Sequence, residues 1–262
     1  RRAIGRDATI VRNEVLLGVF RRDAALQGMA VEPDVRLLRN TRFRRPDRKA
    51  VKDVDLRLDD IDAGHNFGDM AGADQDAARR VFEVCTEMMD VVQSIPQPVI
   101  ARVHALATAA GCQLVASCDL AVAAESASFA IPGGKGGLYC HTPLVAVARN
   151  IGRKRAVEMA MTGDPIDART AVDWGLINHA VPDDQLDDAV WDLITRATRG
   201  SVWSKAFGKR TFYAQIGLDQ PDAYEIAIDA MAAGVVAPDG QEGIAAFLDK
   251  RHPHFTQRPT AD

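Results

Sequence analysis

Short apolar strands that alternate with capped helices, and then give way to helices alone, predict an α/β fold with a helical C-terminal portion. Three observations carry that prediction. The apolar runs VIARV (99–103) and LAVA (120–123) have the length of buried strands rather than helices. A small-residue segment with helix character lies between them. Beyond residue 141 almost every segment carries a helix cap or stop.

The first 60 residues are the hardest to read. TIVRNEVLLGVF (9–20) has strand character, PDVRLL (33–38) reads as a turn entering a strand, and VDLRL (54–58) alternates cleanly. DAGHNFGDMAGAD (62–74) reads as a loop rich in Gly and Asp. From Gln75 the pattern turns helical: Val81, Val84, Cys85, Met88 and Val92 recur at spacings of three and four, forming one apolar stripe. Pro96 and Pro98 end that helix. After the strand VIARV a helix is expected from about Ala110 to Ser117, then the strand LAVA. SFAIPGGKGG (128–137) reads as a strand end running into a flexible Gly-rich loop.

In the helical half, Thr142 is a candidate N-cap with Pro143 at the first helical position. RKRAVEMAMTG stops at Gly163, a C′ glycine. Asp167 caps a short helix that ends at Gly175. PDDQLDDAVWDLITRATRG is amphipathic and ends at Gly200. Further helices are expected near 205–215, 223–233 and 240–251.

Composition bounds the function classes. The chain has 262 residues, 47% hydrophobic and 26% charged, as in an ordinary globular protein. No apolar run is long enough to span a membrane. No secretory leader is visible, so a cytoplasmic protein is expected. Cys85, Cys112, Cys118 and Cys140 lack paired metal or redox spacing and read as buried free thiols. The histidines are scattered, and no metal is expected. Residues 1–60 hold 15 Lys/Arg against 10 Asp/Glu, although the whole chain has a net charge of −4. The basic run at 39–52 matches no nucleic-acid motif and reads as a solvated loop, so no nucleic acid is expected as a partner.

IPQPVIARVHALATAAGCQLVASCDLAVAAESASFAIPG (95–133) resembles the central signature of the crotonase family, the enoyl-CoA hydratase/isomerase superfamily. RKRAVEMAMTGDPIDARTAVDWGLINHAVPDDQL and GQEGIAAFLDKRHPHF resemble its later segments, so the resemblance covers roughly residues 61–256. LATAAGCQLVASCD and GKRTFYAQ point to one branch within it. The resemblance implies a ClpP-like spiral of ββα turns at 1–200 and a helical trimerisation region at 201–262. It also implies a homotrimer or a hexamer built as a dimer of trimers. The implied ligand is an acyl-CoA thioester, with coenzyme A entering as part of the substrate and no separate cofactor.

The family's shared chemistry stabilises a thioester enolate with two backbone N–H groups, and preorganised donors at a developing oxyanion are worth about 3–4 kcal/mol each. By resemblance the donors are the N–H of His65, next to Gly64, and that of Ala110, with Gly111 allowing close approach. Small residues there also suit tight helix packing, and both uses can coexist. The family's hydratases carry two glutamates for acid/base work. Here those positions hold Gln113 and Gly133. Gln113 can contact a water or a carbonyl but is no general base. His141, eight residues past Gly133, is either a proton shuttle or a histidine satisfied at a helix edge. Lys135 and Lys250 are candidates for coenzyme A phosphates or are simply solvated, and Asp119 reads as a structural cap. The chain is therefore read as a hydratase/isomerase-like enzyme without the two-glutamate machinery, or as an inactive acyl-CoA binder.

Overall fold

Alternation along β2 (Val99–Val103) sets the layers. The structure, a computed structural model, describes residues 9–12 and 67–259. Side chains of successive strand residues point to opposite faces. Ile100 joins Val122, Leu186, Val190 and Ile194 on one face of the sheet. Ala101 and Val103 join Ala121, Ala123, Phe129 and Ile131 on the other.

That sheet has the order β1-β2-β4-β7, all parallel, with β1 (Thr9–Arg12), β4 (Leu120–Ala124) and β7 (His179–Val181). A second sheet holds β3 (Leu106–Thr108), β5 (Ser128–Ala130) and β6 (Ile166–Asp167). β3 and β5 run parallel, and β6 is antiparallel to β5. The chain steps from the first sheet to the second at β2–β3 and again at β4–β5, and helices carry it onward. These are the ββα turns that the resemblance implies.

Ten helices are described, and most begin and end where local chemistry dictates. After α1 (Phe67–Met70), α2 (Gln75–Ser94) is capped by Asp74, whose Oδ1 accepts the Ala77 N–H at 2.9 Å. Of the expected stripe it buries Val81, Cys85 and Val92, with Met89 beside them, while Val84 and Met88 are half-buried. α3 (Ala110–Ser117) follows β3, and α4 (His141–Ile151) and α5 (Arg153–Thr162) follow β5. α6 (Ala168–Trp174) is capped by Asp167, which accepts the Thr170 N–H at 2.7 Å. Gly163 and Gly175 end α5 and α6 in left-handed conformations, at φ 61° and 86°. α7 (Leu186–Ala197) covers the Ile100 face. α8 (Val202–Gln215), α9 (Gln220–Val236) and α10 (Pro238–Leu248) complete the chain.

Three local expectations are corrected. Residues 67–70 of the expected Gly/Asp loop form α1. The expected flexible Gly-rich loop is a 3-10 turn at Pro132–Gly136. α4 begins two residues early, with Cys140 rather than Thr142 at the cap, because Cys140 Sγ is held by the Gly133 N–H at 3.2 Å. Of the thiols, Cys118 is only half-buried. The expected strands at 33–38 and 54–58 and the basic run at 39–52 lie outside the described residues.

A half-buried polar clamp joins the C-terminal helices to the core. Lys209 Nζ on α8 donates to Asp119 Oδ2 at 2.7 Å, Val92 O at 2.9 Å and Gln97 O at 3.0 Å. These bonds use all three ammonium hydrogens. Asp119 also accepts the Tyr213 hydroxyl at 2.8 Å and the Val99 N–H at 2.6 Å. The Lys209 and Asp119 side chains are 9% and 16% exposed. Burial lowers the Lys209 pKa, and Asp119 opposes that shift without reversing it.

Removing one member of such a pair strands the other charge. Lys209→Met should cost about 3–5 kcal/mol of unfolding free energy in urea, and Tyr213→Phe about 1.5–3 kcal/mol. A Lys209→Met loss of about 1 kcal/mol or less, the size of a surface pair, would contradict this role for the clamp.

Candidate active site

The site grows from the way β3 enters α3. Ala109 joins them with φ 48° and ψ −113°, a backbone state that L-residues rarely adopt. Such a conformation costs about 1–3 kcal/mol and persists only where its surroundings hold it. Two bonds hold it here. The Ala109 N–H donates to Ala130 O of β5 at 2.9 Å, and Ala109 O accepts the Gln113 N–H at 3.0 Å.

This kink points the start of α3 into the interior. Every residue of α3 is buried, and no side chain caps its N-terminus. The N–H groups of Ala110, Gly111 and Cys112 therefore have no acceptor within the helix. They also carry the positive end of the helix dipole. A buried helix start left in this way can receive an oxygen that bears negative charge. Gly111 lies inside this turn.

Gln113 lies three residues after Ala110, on the same side of the helix. It is 4% exposed, and its Oε1 is fully buried without a hydrogen-bond partner. The other such atom among the described residues is His104 Nδ1, in the link between β2 and β3. Buried polar side-chain atoms are usually bonded.

Gly133, which the resemblance puts at the place of the second acid, has no room for a side chain. A Cβ on Gly133 would stand 2.0 Å from Leu138 O and 2.7 Å from Cys140 Sγ. The 3-10 turn itself fills that space, tied by the Leu138 N–H to Gly133 O at 3.0 Å. The nearby thiols supply no ready base. Burial pushes Cys112 up to about 12, with Cys140 adding to the shift. Burial also raises Cys140, against the opposing bond from the Gly133 N–H.

Three of the remaining candidates are exposed. His141 is exposed at the first residue of α4, its ring centroid 5.0 Å from that of Tyr139. Lys135 Nζ donates to Asp164 Oδ1 at 2.5 Å in an exposed pair. Lys250 follows α10 with φ 53° and is exposed. Gly64 and His65 lie outside the described residues. Asp119 was expected as a cap, but the C-cap of α3 is Cys118, and Asp119 instead receives Lys209 and Tyr213, which were not foreseen from sequence. Their spacing of four on one helix was the available signal. The plug formed by Cys140 had none, because it depends on how the turn folds back.

The family pattern for enoyl-CoA hydratase/isomerase matches residues 62–258. The mitochondrial enoyl-CoA hydratase domain-containing protein 3 of Rattus norvegicus is 40% identical over 246 residues, 93% of this chain and 80% of that protein. The crystal structure of an enoyl-CoA hydratase from Mycobacterium smegmatis superposes with TM-score 0.71 at 44% identity, covering 73% of this chain and 75% of the other. The crystal structure of human enoyl-CoA hydratase domain-containing protein 3 gives TM-score 0.70 at 44% identity, covering 73% and 76%. The branch resemblance seen in LATAAGCQLVASCD and GKRTFYAQ is thus to domain-containing protein 3. The relatives from Rattus norvegicus, Danio rerio and Homo sapiens are all named as mitochondrial, which corrects the expectation of a cytoplasmic protein. Composition and buried thiols carry no address, because targeting is read from segments that are later removed.

The closed acid position is directly testable. Gly133→Ala should destabilise the chain by about 1–3 kcal/mol through overpacking. Gly136→Ala, whose Cβ would meet nothing within 4 Å, should be nearly neutral. Equal denaturation midpoints for the two variants would show that the turn yields easily.

Proposed function

The chain belongs to the enoyl-CoA hydratase/isomerase family, and from that premise we propose that it binds an acyl-CoA thioester with the thioester oxygen against the Ala110 N–H. The observation that carries this reading is the buried, uncapped start of α3 behind the strained Ala109. The second donor of the oxyanion hole is assigned to the N–H of His65 beside Gly64, on the resemblance alone. Coenzyme A enters as part of the substrate. Lys135 and Lys250 are its candidate phosphate contacts, and the exposed Lys135–Asp164 pair is the kind that exchanges readily.

The activity assigned is hydratase/isomerase-like, without standard two-glutamate hydration. An enolate held by backbone donors still needs a group that moves a proton. Gln113 is uncharged, and Gly133 has no side chain and no room for one. His141 is the proposed proton shuttle, and Gln113 a contact for water or substrate. A second reading, an acyl-CoA binder that has lost turnover, is favoured by the closed acid position at Gly133.

Calorimetry with butyryl-CoA and a hydration assay with crotonyl-CoA test both readings. Binding is expected, with hydration unimproved in Gln113→Glu because the partner acid has no place. If His141 shuttles protons, His141→Ala should lower turnover at least about tenfold, within the usual range for a general acid or base. Equal rates would remove His141. Binding without turnover in the wild type would select the binder. No binding at millimolar thioester would overturn both readings.

We also propose that the chain self-associates as a homotrimer, or as a hexamer of two trimers, through its C-terminal helices. No residue of α9 is buried. Tyr224, Ile228, Met231 and Val235, spaced four, three and four, are 45–69% exposed along one stripe. Phe247 on α10 is 83% exposed. A continuous exposed apolar stripe marks an interaction surface. Light scattering on the eluting protein should give the mass of three or six chains, and Met231→Glu should lower it. A one-chain mass at micromolar concentration would contradict the proposal.

A further inference from the structure

We propose that the solvent faces of α4 and α5 form a docking surface for an anionic lipid bilayer, with Arg149, Arg153 and Lys154 among the headgroups and Val145, Val157 and Met161 against the acyl boundary. Four cations, Arg149, Arg153, Lys154 and Arg155, fall within seven residues where the two helices meet, in a chain whose net charge is −4. All four are exposed. The two helices contain one carboxylate, Glu158. The side chains of Arg153 and Lys154 make no hydrogen bond or ion pair among the described residues. Arg149 donates to Val145 O of its own helix at 2.9 Å. Arg155 alone is engaged elsewhere, 5.5 Å over the Trp174 ring and donating to Asp173 O at 3.3 Å. Arg153, Lys154 and Arg155 also stand in the first turn of α5, where the helix dipole disfavours positive charge. Local helix stability therefore does not account for them.

The cations share their faces with exposed apolar residues. At 3.6 residues per turn, Arg153, Lys154, Val157 and Met161 fall within about 100° of the α5 surface, and Glu158 lies outside that arc. Ala156, Met159 and Ala160 turn to the core. Val145 and Arg149, four apart, make the matching row on α4. Val145, Val157 and Met161 are 54%, 41% and 70% exposed. Apolar residues flanked by long cationic side chains suit a water–lipid boundary, where stems and apolar groups enter the acyl edge and charged heads reach phosphates. Asn150 Nδ2 donates to Ala116 O at 2.9 Å. The junction thus lies beside the C-terminal end of α3, away from Ala110 and the thioester oxygen.

Positive charge alone would also attract nucleic acid. Single strands are held by bases stacked on aromatic rings. Neither helix contains Phe, Tyr or Trp, and Arg155 already covers Trp174. A second copy placed about a twofold axis would set these cations against their own equivalents.

Co-sedimentation of the full chain with vesicles tests this, using phosphatidylcholine alone and equal parts of phosphatidylserine and phosphatidylcholine. The wild type should bind the anionic vesicles and not the neutral ones. Arg153→Gln with Lys154→Gln should weaken that binding about 25-fold, at about fivefold per cation near an anionic surface. Lys205→Gln with Arg210→Gln, the same charge change at exposed positions on α8, should leave it unchanged. Met161→Gln should weaken it too. Equal binding to the two vesicles, or none to either, would overturn the proposal, and that comparison needs no variant. An equal loss in the Lys205 and Arg210 pair would overturn it, as would unchanged binding of Met161→Gln. Displacement from the anionic vesicles by single-stranded RNA would assign the face to nucleic acid and overturn it as well.

Discussion

The half-buried carboxylate of Asp119 is the constraint on which the rest of this structure hangs. It receives Lys209, Tyr213 and the Val99 N–H, and Lys209 in turn holds the carbonyls of Val92 and Gln97. One charge pair thus gathers the end of α2, the start of β2, the start of β4 and the helix α8. Asp119 directly follows the cap of α3, whose Cys118 N–H donates to Leu114 O at 3.1 Å. At its other end α3 is fixed by the Ala109–Ala130 bond to β5. The helix is pinned at both ends, so its free N–H groups have a defined direction. The geometry that would bind an oxyanion is set by polar contacts made outside the site.

The interior around that helix start offers donors but little basicity. Gln113 is a neutral amide where the resemblance implies a carboxylate. Gly133 is closed by Leu138 and Cys140. The thiols of Cys112 and Cys140 are held protonated by burial. Electrostatic stabilisation by backbone N–H groups needs none of these side chains, so the thioester binding proposed above does not require them. Proton transfer has to come from another group, and His141, the proposed shuttle, is exposed at the start of α4.

What was legible in the sequence follows the range of the forces involved. Asp167, Gly163 and Gly175 mark helix ends through bonds that span three or four residues, and the structure places them as read. VIARV and the helix Ala110–Ser117 matched to the residue, because each is bounded by proline, glycine or a change of apolar period. The start of α4 was misread because Thr142-Pro143 is a strong local cap signal. A longer-range contact, Cys140 Sγ with the Gly133 N–H, moves the cap two residues back. The Gly-rich stretch 132–136 has the composition of a loop but folds as a 3-10 turn tied by the Leu138–Gly133 bond.

The sequence by itself determined the capped helices and the strands VIARV and LAVA from Gln75 onward, the family resemblance, and the presence of Gln113 and Gly133 where that resemblance implies acids. These are matters of residue type and spacing. Only the tertiary structure decided that Ala109 is strained, that Gln113 Oε1 is buried without a donor, and that the Gly133 position has no space for a side chain. The physical reason is the same in each case. Strain, burial and exclusion depend on which distant atoms are packed against a residue, and residue spacing along the chain carries no information about that.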